Sequence, residues 1–267
     1  MTPPLSHRGF AAKALRLCRW LCLIPLAARA EPGTLDSLPA TLARIKPSIV
    51  AVGTYLPTRQ PDAQFHGTGF VVGDGRHALT NLHVLPKKLD LAKHESLAVL
   101  VPDGNRVGIR LAVEAEEDAE HDVVLLKFSD APLPALELGD SDRVREGQLY
   151  AFTGFPLGGV LGLYPVTHRG IVSSITPIAV PAASVKRLTR DIVKLLQNPY
   201  DVFQLDATAY PGNSGSPLYD PITGKVIGIL NKVLVQAGKE AELSHPSGIS
   251  FAIPIRYGKA LLARAGL

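Results

Sequence analysis

Three short segments, far apart in a chain of 267 residues, carry side chains able to do nucleophilic chemistry. The first is Pro211-Gly-Asn-Ser-Gly-Ser-Pro217. A serine hydroxyl is a weak nucleophile until a base removes its proton and hydrogen-bond donors meet the oxyanion that its attack creates. Gly212 lets the backbone bend, so that its N–H and that of Ser214 can face one oxygen. Taken alone, the run reads equally as a polar turn before a strand. The second segment, Thr80-Asn-Leu-His83-Val, sets an imidazole at the end of a strand-like run. The third, His121-Asp122-Val-Val-Leu-Leu, places a carboxylate at the mouth of an apolar strand, a costly position for a charge without a partner. Together they supply a nucleophile (Ser214), a general base (His83) and a carboxylate that fixes the imidazole tautomer (Asp122). The chain order His, Asp, Ser is one of the known arrangements of such a triad.

Competing chemistries lack their residues. His66, His77, His94, His121, His168 and His245 form no His-x-x-x-His pair and have no cysteine partners, so neither a metal site nor a cofactor is expected. His121 reads as a strand-edge surface residue, not as a second base. Gly67-Thr-Gly69 lacks the third glycine and the following helix of a phosphate loop. Ser216 breaks the Gly-x-Ser-x-Gly pattern of a nucleophile elbow.

The elements that must position the triad are strands. A composition of 46% hydrophobic, 6% aromatic and 19% charged residues predicts a globular fold with a large core. Twelve short β-branched runs are bounded by Gly, Pro, Asp or Asn. They lie at 48–55, 67–72, 77–85, 97–101, 107–115, 122–128, 148–154, 170–175, 202–208, 216–220, 225–235 and 248–253. That spacing predicts an all-β sandwich or barrel, and the polar stretch 138–147 divides it into two barrels of similar size. No repeat of 20–50 residues is visible, which removes solenoids and propellers. Residues 35–45 form a short amphipathic helix that either breaks or begins at Pro39. A second helical pattern at 185–196 sets Val185, Leu188, Ile192, Leu195 and Leu196 on one face, opposite Lys186, Arg190, Asp191 and Lys194. It reads as a helix inserted in the second barrel, packed on its wall or facing a substrate or second subunit. A last helical stretch covers 257–265.

The formal charge of +4 belongs largely to the first 30 residues. They hold Arg8, Lys13, Arg16, Arg19 and Arg29, no acidic residue, the apolar run WLCLIPLAA and the small-x-small site Ala28-Arg29-Ala30. That is the pattern of a cleavable export signal, and its apolar run is too short to span a membrane. Removing those five from the 28 basic residues leaves 23 against 24 acidic ones, so no electrostatic case for nucleic acid remains. Both cysteines, Cys18 and Cys22, leave with it. The remaining 237 residues are expected in the periplasm or outside the cell, with a fold independent of disulfides and no stable membrane insertion.

The Thr-x-x-His-Val, Asp-Val-Val-Leu-Leu and Gly-Asn-Ser-Gly-Ser-Pro segments join Gly170-Ile-Val-Ser-Ser, Val226-Ile-Gly-Ile and Phe251-Ala-Ile-Pro254. Over residues 44–256 this set resembles the trypsin-like serine proteases, above all the bacterial HtrA (Deg) type. The resemblance implies two antiparallel six-stranded β-barrels, about 46–138 and 148–256, in a protease domain spanning 31–267. It implies a cleft between them, with an oxyanion hole made by the Gly212 and Ser214 N–H groups. Departures matter too. Asn213 stands where digestive members carry an aspartate that pairs with a liberated N-terminus, so activation of that kind is not expected. Gly215-Ser216 matches the glutamyl endopeptidases, the nearest rival subfamily, but Leu230 and Ala209 occupy the positions of their glutamate-binding His and Thr. A small, apolar specificity pocket shaped by Thr208, Leu230 and Phe251 is implied instead. The chain ends about a dozen residues past Pro254, so PDZ-driven capture is not carried over, which leaves the 235–248 loop and the 181–201 insertion to select substrate. No aromatic residue in 31–47 supports the trimer contacts of the HtrA type, and a monomer is expected. The reading is an exported serine endopeptidase acting on protein or peptide after small or apolar residues. The alternative is a catalytically silent domain that binds a protein partner.

Overall fold

Strand alternation in the computed structural model explains how one chain builds three apolar clusters. The described residues are 34–104, 106–178, 197, 199–231 and 248–267. In β1 (Ile49–Tyr55), Val50 and Val52 point into the first barrel while Ile49 and Ala51 point into a second cluster on its outside. In β6 (Val123–Phe128), Val124, Leu126 and Phe128 fill the barrel, and Val123 and Leu125 face the outer cluster. Strands buried on both faces read as continuous apolar runs, which is why these two lack a polar alternation. The outer cluster also takes Ala151, Phe155, Tyr219, Ile229 and Ile253 from the second half of the chain, and so joins the two barrels. Phe152, Phe203, Leu205, Leu218 and Leu230 fill the second barrel.

The first barrel adds β2 (Ala63–Val72), β3 (His77–Thr80), β4 (Ser96–Asp103) and β5 (Arg106–Asp118), and closes antiparallel in the order β1-β2-β3-β6-β5-β4. The second consists of β7 (Leu149–Gly154), β8 (Val166–Pro177), β9 (Asp201–Asp206), β10 (Pro217–Tyr219), β11 (Val226–Asn231) and β12 (Ile249–Pro254). Its order, β7-β8-β9-β12-β11-β10, repeats that of the first. The expected all-β fold of two closed six-stranded barrels is therefore present, and each of the twelve runs overlaps one strand. Closure leaves no unpaired sheet edge around the site.

Helix α1 (Thr34–Ile45) continues through Pro39 and neither breaks nor begins there. The proline removes one backbone hydrogen bond within the first turn and a half. Packing of Leu38, Leu42 and Ile45 on the inter-barrel cluster outweighs that loss. Thr41 Oγ1 and Arg44 Nη2 donate to the carbonyls of Ile222 and Thr223, at 2.9 and 2.6 Å, and pin α1 to the second barrel. After β7 comes one helical turn, α2 (Gly158–Leu161). The final helix, α3 (Ile255–Arg264), follows the last strand of barrel two yet packs on barrel one. Gly258 lies so close to Leu79 that a Cβ would stand 2.8 Å from its Cδ1, and Arg264 pairs with Glu116 at 3.0 Å. It straps the two barrels together. The expected export signal at 1–30, the helix at 185–196 and the loop at 235–247 lie outside the described residues.

Candidate active site

Asp122 is the last residue before β6, and His83 sits in a 3-10 turn (Leu82–Val84) just past β3. The β3–β6 pairing of Thr80 with Val124 brings the two strand ends together. His83 Nδ1 lies 2.6 Å from Asp122 Oδ2, and the His83 backbone N–H donates to Oδ1 at 2.8 Å. Two contacts thus align one carboxylate with one residue. Asp122 has φ 55°, in the left-handed region, where an L-residue is strained by roughly 1–2 kcal/mol, less for Asp. Its carbonyl is held by Leu82 N–H at 3.2 Å and Asn81 Nδ2 at 3.1 Å. A third donor reaches the carboxylate: Asn231 Nδ2, at the end of β11, lies 2.8 Å from Oδ2. Asn231 comes from the other barrel, and the sequence reading did not single it out. Its signal was a polar residue closing the apolar run VIGIL.

The turn around Ser214 is fixed by its carbonyls. Pro211 O accepts from Leu157 N–H at 2.7 Å and Gly212 O from Thr68 Oγ1 at 2.7 Å. Asn213 O accepts from Ser216 N–H at 3.0 Å and Ser214 O from Thr68 N–H at 2.9 Å. The N–H groups then alternate: those of Asn213 and Gly215 are spent on Tyr210 O at 3.0 Å and Leu230 O at 2.9 Å. Those of Gly212 and Ser214 have no partner among the described residues. In a trans peptide the N–H points away from the preceding carbonyl, so the tied carbonyls of Pro211 and Asn213 fix the direction of both groups. Glycine is required twice. Gly212 has φ 98° and a Cβ there would stand 2.4 Å from Phe155 O; Gly215 has φ 85° and its Cβ would stand 2.0 Å from Thr68 O. Two N–H groups left free in this way are of the kind that an oxyanion hole requires.

Ser214 is buried to 7% exposure, while the His83 side chain is 32% and that of Asp122 22% exposed. Among the described residues no hydrogen bond joins Ser214 Oγ to His83, so the His83–Asp122 contact is formed and a Ser214–His83 contact is open. Asn213 is fully buried, and neither end of its amide is hydrogen-bonded among the described residues; the same holds for Ser216 Oγ. Of the expected pocket residues, Thr208 and Phe251 are half-buried near the surface of barrel two, and Leu230 is fully buried in its core, where Ala207 and Ala209 also pack.

The other histidines have separate duties. His77 pairs with Asp74 at 2.8 Å. His168 stacks on Phe152, and burial holds its pKa below the usual imidazole value. His121 is not the expected surface residue: it pairs with Asp118 at 2.8 Å and is packed between Tyr200 and Tyr257. Burial, and secondarily the nearby Asp122 carboxylate, push the Tyr200 phenol far above its usual pKa.

Two closed six-stranded barrels, with a histidine–carboxylate pair on one and a glycine-framed serine on the other, define the trypsin-like peptidase class. Residues 67–229 match the family Trypsin-like peptidase domain, and the chain belongs to that family. It is 32% identical over 202 residues to a probable periplasmic serine endoprotease DegP-like of Halomonas elongata, a match covering 73% of this chain and 35% of the relative. With the Serine protease HTRA2, mitochondrial, of Drosophila pseudoobscura pseudoobscura it shares 31% identity over 206 residues, covering 77% of this chain and 40% of that one. The structure of the HtrA-type protease AlgW with tripeptide superposes with a TM-score of 0.60 at 28% identity, over 85% of this chain and 62% of that one. The domain is thus of the HtrA type. The chain spans about a third of the length of the DegP-like relative.

Proposed function

We propose that the protein is a serine endopeptidase in which Ser214 attacks, His83 carries the proton and Asp122 holds the imidazole. The observation that carries this reading is the pair of N–H groups on Gly212 and Ser214 without a partner among the described residues, in a chain whose Asp122–His83 contact is 2.6 Å. With Nδ1–H donated to Asp122, His83 Nε2 is left without a proton. It takes the proton of Ser214 Oγ as that oxygen bonds to the carbonyl carbon of the scissile peptide. The oxyanion is met by the two N–H groups. His83 then passes its proton to the departing amine, the C–N bond breaks, and an ester on Ser214 remains. Water delivers the second attack, its proton going to His83 and then back to Ser214 Oγ. No cofactor is needed.

The substrate is a protein or peptide, cut after small or apolar residues. Thr208, Leu230 and Phe251, none of them charged, are the residues assigned to the specificity pocket. The compartment is the periplasm, reached through cleavage of the 1–30 signal; the names of the DegP-like relatives support it. The working unit is a monomer. Cleavage of a peptide library, with products read by mass spectrometry, tests the specificity: Val, Ala, Leu or Thr should dominate before the cut bond. A profile dominated by Arg, Lys or Glu would overturn it.

A further inference from the structure

His121 precedes Asp122 and is half-buried among fixed neighbours. Its backbone N–H and its Nδ1 both contact the Asp118 carboxylate, at 3.1 and 2.8 Å. Its ring stacks on Tyr257 with centroids 3.6 Å apart and planes at 17°, and meets Tyr200 edge-on at 4.6 Å. The two tyrosines touch each other at 5.6 Å. Tyr257 is fixed in turn by Arg256, whose guanidinium lies over its ring at 5.0 Å and pairs with Asp142 at 2.9 Å. Three separate parts of the chain therefore converge on one imidazole: the β5–β6 turn, the first turn of α3 and the residue leading into β9.

A left-handed, non-glycine residue persists only where its surroundings over-determine it. Asp122 is such a residue. On its C-terminal side the β3–β6 ladder and the Asn81 and Leu82 contacts fix the chain. On its N-terminal side the fixed element is His121. The geometry points to His121 as a positioning residue, clamped by Tyr200, Tyr257 and Asp118, that sets the peptide entering Asp122 and so the aim of the Asp122 carboxylate at His83. It touches no substrate. This inference rests on the peptidase reading, since it concerns how the carboxylate of that triad is aimed.

The test uses the full chain with His121→Ala, His121→Phe and Tyr257→Leu. Active sites are counted by fluorophosphonate titration, so that kcat refers to folded molecules only. His121→Ala and Tyr257→Leu are expected to lower kcat about ten- to hundred-fold with KM within about two-fold, as expected for misaimed catalytic groups. His121→Phe keeps the stack and should recover most of that loss. The downfield proton resonance of the His83 Nδ1–H···Asp122 contact should broaden or vanish in the Ala and Leu variants and return in the Phe variant. A purely structural role would lower the melting temperature and leave kcat per titrated site and the resonance unchanged, and that result overturns the inference. If His121→Ala does not fold, Tyr257→Leu and His121→Phe decide it on the same readouts. A wild-type protein without peptidase activity overturns the peptidase reading and this inference with it, whereas an active wild type with indifferent variants overturns the inference alone.

Discussion

Ser214→Ala is expected to lower kcat by about six orders of magnitude while the protein folds as before. The separation of the two effects follows from how the turn is built. Every carbonyl from Pro211 to Ser214 is tied by a neighbour's N–H or hydroxyl, and none of those bonds uses Ser214 Oγ. Deleting the hydroxyl removes the nucleophile and leaves the Gly212 and Ser214 N–H groups in place. A residual rate of about 10³–10⁴ over uncatalysed hydrolysis should survive, supplied by the two donors and by substrate binding. Single-turnover kinetics on a cleavable peptide, with circular dichroism and thermal melting of the same sample, measure both. A loss below about ten-fold would mean that another group performs the attack.

Asp122→Asn is expected to cost about 10⁴ in kcat at neutral pH with little change in KM. Oδ1 accepts the backbone N–H of His83, so an asparagine must keep its oxygen there. Its NH2 group then falls at the Oδ2 position, facing both His83 Nδ1 and Asn231 Nδ2. A donor now meets donors. The imidazole escapes by moving its proton to Nε2, which is the position where the base must be empty. Nitrogen NMR of His83 should report the exchanged tautomer alongside the kinetic loss, and a variant with wild-type tautomer and wild-type kcat would refute the orienting role.

These effects lean on contacts of different legibility. The strands and the segments that carry Asp122 and Ser214 were readable because both are written locally: a serine framed by glycines, a carboxylate before an apolar run, and runs bounded by turn residues. Asn231 was not, since its value depends on a strand of one barrel ending beside a carboxylate of the other. His121 was misread as a surface residue for a similar reason. Its partners Tyr200 and Tyr257 lie about 80 and 136 positions away in the chain, and only closure of both barrels and the strap of α3 bring them together. Pro39 was misjudged because a local rule about helix interiors meets a tertiary force, the packing of Leu38, Leu42 and Ile45. The Gly212 turn lies between these cases. Its glycines suggested the bend, but the direction of the Gly212 N–H depends on the bond from Leu157 to the Pro211 carbonyl, which no spacing along the chain reveals.

The most direct measurement is reaction of the wild-type protein with a fluorophosphonate, followed by tandem mass spectrometry of its peptides. The account predicts one phosphonyl adduct, on Ser214, whose formation is abolished in Ser214→Ala and slowed strongly in Asp122→Asn. An inert protein, or an adduct on any other residue, would contradict it.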